Sequence, residues 1–473
     1  MVFSSYQFVF VFLPIFFLIY FALRPNLRNL FILIASLVFY YLGDSNGITA
    51  LLLAIVLNYG VGRALGPAAT LTETPRSDGW RRAWIVVGLV LNLAVLIWYK
   101  YVGFVTTTID NLASTLGHPG LVPIVEVALP LGISFFVFQG ISYLVDVWRG
   151  TIAPTRNLIV FGAYKSMFPQ LIAGPIVRYK DIAEALDHRD VKVTMVYEGI
   201  IRFITGFAKK VLLADTFAVT ADALFALPDD QLTTATAWMA TFAYTLQIYF
   251  DFSAYSDMAI GMGMMMGFRF PENFNYPYSS VSIQEFWRRW HMTLSGWFRD
   301  YVYIPLGGNR RGTVRTYVNL LVVFTLTGLW HGAAWTFVVW GLWHGLFMVI
   351  ERFVDTSRVP TVLRWIGTMA IVVVGWVLFR AESFGKAMDM LLLMVGVGND
   401  GAGRPLGEFV TPWFLLMAAI ACVLAFPVYP WAKAHLAVRT RVVLGAALFP
   451  AFFIIASTKV LAGAYSPFLY FRF

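Results

Sequence analysis

The stretch LLVVFTLTGLWHGAAWTFVVWGLWHG, residues 320–345, decides how this chain is read. It is apolar at nearly every position, yet it holds two histidines, His331 and His344, each inside a Trp-His-Gly triplet. Arg310, Arg311 and Arg315 precede it, and Glu351 and Arg352 follow it. Arginines favour the cytoplasmic side of a membrane. The segment therefore predicts a hairpin that enters from the cytoplasm and returns, with Gly328–Ala334 at its tip. His331 lies ~16 residues beyond Arg315, or ~24 Å at ~1.5 Å per helical residue, which puts it past the bilayer midplane. No carboxylate lies close in sequence to hold its ring, so a neutral imidazole able to accept a proton is expected at pH 7. An ionisable group at that depth points to function. The plain alternative is a histidine bonded to a backbone carbonyl. His344, on the returning helix, is expected to be secondary.

Composition supports a membrane setting. Of 473 residues, 59% are apolar and 13% charged, and the mean hydropathy is +0.71; soluble domains carry about 25% charged residues. The 42 Phe, 22 Tyr and 16 Trp exclude disorder, because that much aromatic surface must be buried. The one cysteine, Cys422, excludes a disulfide framework and a cysteine-ligated metal site. The net charge of +9 is spread over short loops, which suits a membrane surface and argues against nucleic acid as a partner. Apolar stretches near 6–23, 28–43, 47–65, 83–105, 128–147, 196–214, 236–267, 316–331, 334–350, 363–380, 409–429 and 442–462 predict about 11 or 12 crossings of roughly 20 residues each. The expected fold class is an all-α polytopic membrane protein, one integral domain over residues 1–473, with re-entrant or interfacial helices beside the spans. The polar stretches 67–78 and 399–408 read as loops. Basic residues alternate between connections: Arg24 and Arg28, none in Gly43–Gly47, then Arg63, Arg76, Arg81 and Arg82, none from Thr106 to Pro130, then Arg149 and Arg156. The alternation predicts both termini outside the cytoplasm.

Three other places interrupt the apolar pattern. MFPQLIAGPIVRY (167–179) holds two prolines and Gly174, so no clean helix fits; a re-entrant segment or a kinked span is expected. YFDFSAYSD (249–257) buries Asp251 and Asp257 within an apolar run. Their spacing turns them ~120° apart on a helix, which argues against an acid/base dyad; pairing with arginines that hold helices together is the alternative. IQEFWRRWHMTLSGWFRDYVYIP (283–305) repeats Phe286, Trp290, Thr293, Trp297 and Tyr301 at near-helical spacing, which predicts an interfacial helix with His291 on the stripe of Trp287, Leu294 and Phe298. Three histidines with no nearby cysteine and no paired-histidine motif argue against a metal site. A neutral buried histidine suits general-base work on a hydroxyl, hence acyl or group transfer. A transporter with a proton relay is the other class, but no matching halves are visible.

QEFWRRWHMTLSGWFRDYVYIPLGG (284–308) and TGLWHGAAWTFVVWGLWHG (327–345) resemble the two signature regions of the membrane-bound O-acyltransferases. The similarity is greatest to the bacterial branch that contains the alginate O-acetylation membrane component and the D-alanine transfer protein of teichoic acids. Collinear blocks MVFSSYQFVFVFLP (1–14), FPQLIAGPIVRY (168–179), QIYFDFSAYSDMAIG (247–261), PENFNYPY (271–278) and PFLYFRF (467–473) extend it along the chain. The resemblance implies a ring of helices around a central tunnel. It implies His331 as the catalytic histidine and His291 as the assisting one. From the same cavity, His291 is expected to orient the acyl group or hydrogen-bond the developing oxyanion. Trp330, Trp335, Trp290, Gln170, Tyr249 and Asp251 are the candidate tunnel-lining residues. No bound cofactor and no metal are expected. Acetyl-coenzyme A from the cytoplasm is the implied donor. The implied acceptor is a periplasmic acetyltransferase partner with a hydroxyl, or a polysaccharide such as alginate, with the chain among the lipids of the bacterial inner membrane. D-alanyl transfer is the runner-up, and length favours the alginate-type branch.

Overall fold

A computed structural model describes residues 2–68, 76–398 and 403–463, and no β-strand occurs among them. The aromatic tail 467–473 and parts of the 67–78 and 399–408 loops lie outside the described residues. Each of the twelve apolar stretches contains a helix. Among the described residues, five helices are long and apolar enough to cross a membrane: Pro25–Gly43, Ile48–Leu65, Asp78–Thr115, Thr361–Arg380 and Val438–Leu461. The bent pair Pro412–Leu424 and Val428–His435 makes a sixth if it is one span. Fewer helices than the expected 11 or 12 meet this measure, for two physical reasons. Gln7–Ala22 and Trp335–Ile350 are apolar but short. Thr234–Met265 and Val193–Ala208 carry charged residues that lower their hydropathy. On Thr234–Met265 those charges, Asp251 and Asp257, are buried against basic partners, so apolarity alone undercounts such a helix. The chain is a multi-pass membrane protein.

The chain divides into two compact units, Met1–Ile200 with Ala259–Pro271, and Ile201–Met258 with Glu272–Phe473. In the first unit, polar side chains close helix ends. The buried Arg81 guanidinium donates to the carbonyls of Leu65 and Gly66, at the end of one helix, and of Val147 and Trp148, near the end of another. Helix C-termini leave such carbonyls without intrahelical partners. Asn58 and Asn92 exchange side-chain hydrogen bonds at 2.9 and 3.2 Å. The 167–179 segment is broken: a single turn, Phe168–Leu171, is followed by non-helical backbone up to Arg178. Gly174 is required there, since a Cβ would stand 2.7 Å from the Pro169 carbonyl oxygen. Residues 167–177 are all buried, as irregular backbone at membrane depth must be.

In the second unit the elements that build the site are α1 (Thr234–Met265, up to Met258), α2 (Ile283–Arg289), α3 (Met292–Phe298), α4 (Thr313–His331), α5 (Trp335–Ile350) and α6 (Thr361–Arg380). The two aspartates of α1 are tied down by ion pairs. Asp251 pairs with Lys210 at 2.7 Å, and Lys210 also pairs with Asp215. Asp257 meets Arg202 at 2.7 Å and Lys209 at 2.8 Å. This is the helix-holding arrangement, with two lysines and one arginine as the cations. Removing one member of a buried pair typically costs about 3–5 kcal/mol, because a charge is left buried without its partner.

Candidate active site

His331 closes α4, and α5 begins after three intervening residues, so the Trp-His-Gly stretch is a helical hairpin turning at Gly332–Ala334. The hairpin is held by backbone touching backbone. A Cβ on Gly328 would lie 2.2 Å from the Phe337 carbonyl oxygen, and one on Gly341 would lie 2.3 Å from that of Phe324. Small residues allow this approach between membrane helices. The close crossing seats the His331 ring among Trp330, Trp340 and Phe379, with centroids at 4.9, 5.0 and 5.2 Å. His331 is 3% exposed.

His291 arrives differently. The predicted continuous helix is not formed: α2 ends at Arg289, α3 begins at Met292, and His291 sits between them with φ 42° and ψ 52°. A left-handed conformation on a non-glycine residue is uncommon and costs about 1–3 kcal/mol. The surroundings hold it there. The Met292 N–H donates to the Asn273 carbonyl at 2.9 Å, and the Asn273 side chain meets His291 Nδ1 at 3.0 Å. The stripe that suggested one helix survives the break because both halves bury most of it: Phe286, Trp290, Thr293 and Trp297 are buried and Tyr301 is half-buried. The N-terminus of α2 is capped by Glu351, just past α5, whose carboxylate accepts from the N–H groups of Ile283 and Gln284. An anion is favoured at that end of a helix.

The His291 and His331 rings lie 6.4 Å apart, and Trp330 touches both, at 5.8 and 4.9 Å. Of the expected residues, these three come together. Trp290 adjoins His291 in sequence and packs on Trp376 at 4.8 Å and Phe274 at 5.1 Å; Tyr249 is 6.3 Å from Trp290. Asp251 is engaged with Lys210. Gln170 belongs to the other unit, where its side-chain N–H donates to the Tyr164 carbonyl. Trp335, at the start of α5, is 57% exposed. His344 is fully buried in a ring cage of Trp287, Trp340 and Phe286, at 5.2, 5.2 and 6.2 Å. Gly375 of α6 leaves it room, since a Cβ there would stand 2.7 Å from its Nε2. Sequence reasoning missed Asn273 and Trp340. Asn273 lies within the PENFNYPY block, but nothing in its local pattern marks a partner 18 residues away.

The helical hairpin, with two buried histidines ring to ring, is the candidate active site of this integral membrane protein. The family model of the membrane-bound O-acyltransferases matches residues 130–384, which include both histidines, and the chain belongs to that family. The probable alginate O-acetylase AlgI of Pseudomonas putida is 42% identical over 496 residues, covering 100% of both chains. That of Pseudomonas aeruginosa is 46% identical over 402 residues, 84% of this chain and 76% of the relative. The peptidoglycan O-acetyltransferase of Helicobacter pylori is 35% identical over 445 residues, 84% of this chain and 80% of the relative.

Proposed function

We propose that the whole chain acts as one integral domain that carries an acetyl group from cytoplasmic acetyl-coenzyme A to a hydroxyl on the other side of the bacterial inner membrane. The final acceptor is an extracytoplasmic polysaccharide of the alginate kind, reached directly or through a periplasmic acetyltransferase partner. The names of relatives matched over most of their length support the acetyl group and the polymer. The alternation of basic loops supports a cytoplasmic donor side and external termini.

The observation that carries the chemistry is the pair of buried rings 6.4 Å apart. His331 is the general base. Its ring takes the proton of the acceptor hydroxyl as that oxygen attacks the thioester carbonyl; the C–S bond breaks, and the proton passes to the leaving thiolate. Positioned base catalysis is worth about 10²–10⁴-fold. The buried, aromatic walls strengthen any charge–dipole interaction at the reacting centre. His291 assists from the opposite ring.

The test uses the purified full chain in proteoliposomes, with acetyl-labelled acetyl-coenzyme A supplied on the cytoplasmic face and an alginate-type polymer, with its periplasmic partner, on the other. Label on polymer or partner is expected. Transfer from another acyl donor but not from acetyl-coenzyme A overturns the reading.

A further inference from the structure

The hydrogen bonds around Asn273 determine which nitrogen of His291 carries its proton. Asn273 and His291 are both 0% exposed. Asn273 Oδ1 accepts from the Thr293 backbone N–H at 3.3 Å and from Thr293 Oγ1 at 2.8 Å. A backbone N–H can only donate, so the side-chain atom facing it is the oxygen; the orientation of this amide, elsewhere a matter of assignment, is forced. The other end agrees, with Asn273 Nδ2 donating to Ser256 Oγ at 3.2 Å. The same Oδ1 stands 3.0 Å from His291 Nδ1. An amide oxygen can only accept, so Nδ1 carries the hydrogen and Nε2 of the neutral ring carries the lone pair. Nε2 is buried and has no hydrogen-bond partner among the described residues. The left-handed backbone at His291 and the Met292 N–H bond to the Asn273 carbonyl keep the ring on this partner.

We propose that Asn273 is a positioning residue that locks His291 in the Nδ1–H tautomer, so that His291 meets the substrate as a hydrogen-bond acceptor for a hydroxyl rather than as a donor to the oxyanion. This rests on the acyl-transfer reading above. It replaces the expectation of an oxyanion-binding role, which needs a hydrogen on Nε2. The hydroxyl that approaches His331 is then gripped through its own neighbourhood by a second lone pair, a geometry suited to acceptors that carry several hydroxyl groups.

The test is nitrogen NMR on the full chain with ¹⁵N-labelled histidine, the His291 signal being identified by its loss in His291→Gln. A protonated Nδ1 and an unprotonated Nε2 are expected. Asn273→Asp keeps an acceptor and should keep that tautomer, with kcat within a few-fold. Asn273→Ala should mix the tautomers and lower kcat about 10–100-fold, as losing a partner that orients a functional imidazole does, with KM for the donor little changed. A wild-type His291 protonated at Nε2 overturns the proposal, as does a folded Asn273→Ala with unchanged kcat. Should Asn273→Ala fail to fold, the wild-type spectrum alone decides. The spectrum does not depend on the donor or the polymer, so a failure of the acetyl-transfer reading leaves its own separate signature in the transfer assay.

Discussion

The two histidines reach neighbouring places by opposite constructions. The α4–α5 hairpin is local. Two helices joined by three residues cross at Gly328 and Gly341 with nothing but backbone between them, and His331 falls at the turn as the sequence spacing dictates. The 283–303 segment is not local. Its own periodicity favours one helix, and an asparagine 18 residues upstream pulls the chain into a left-handed bend at His291. Tertiary contacts override local propensity when they satisfy buried polar groups that the helix would leave unmet. His331 thus sits on a close-packed hairpin, and His291 sits on a bend held from outside.

The largest effect that tests this contrast is loss of the proposed base, His331. His331→Ala should lower transfer about 10²–10⁴-fold without unfolding, while His291→Ala should be slower than wild type yet keep measurable turnover. Both are read as single-turnover rates in proteoliposomes. A well-folded His331→Ala with near-normal rate would mean that the hairpin histidine is structural. Next in size is the crossing. Gly341→Val puts a branched side chain where a Cβ already lies 2.3 Å from the Phe324 oxygen. Overpacking costs about 1–3 kcal/mol where side chains can yield, and here the obstacle is backbone, so a lower thermal midpoint in detergent and loss of transfer are expected. An unchanged midpoint would show that the hairpin opens more easily than its geometry implies. The smallest effect is His344→Ala. Its ring is enclosed by other rings and stands one aromatic layer from His331, through Trp340. Transfer should stay within about tenfold, with a modest fall in stability from the cavity. A deeper loss than that of His291→Ala would move His344 into the chemistry.

Much of this architecture was legible because membrane helices announce themselves by length and apolarity. The twelve stretches, the hairpin tip and the pairing of Asp251 and Asp257 follow from what a bilayer tolerates. The bend at His291 was not legible, since a period of 3.6 residues in Phe286, Trp290, Thr293 and Trp297 is satisfied equally by one helix or by two short helices that bury the same face. The contacts of Asn273 and Glu351 were missed for a related reason: each acts on backbone groups of a distant segment, and an isolated polar residue in sequence does not say whose amide it will meet. Trp335 was expected with the buried tryptophans because it shares their motif, but the first residue of a helix leaving a turn can face out, as this one does.

The carboxylate of Glu351 has a mechanical consequence. It ties the far end of the hairpin to the start of α2, so the path from His331 down α5, across Glu351, along α2 to His291 and back across the ring contact is a closed linkage. A closed linkage of rigid bars has fewer independent motions than an open chain of the same length. The gap between the two rings therefore cannot widen by bending at one joint alone. Widening that gap has to move at least two of the circuit's joints together: the turn at 332–334, the Glu351 cap or the bend at His291.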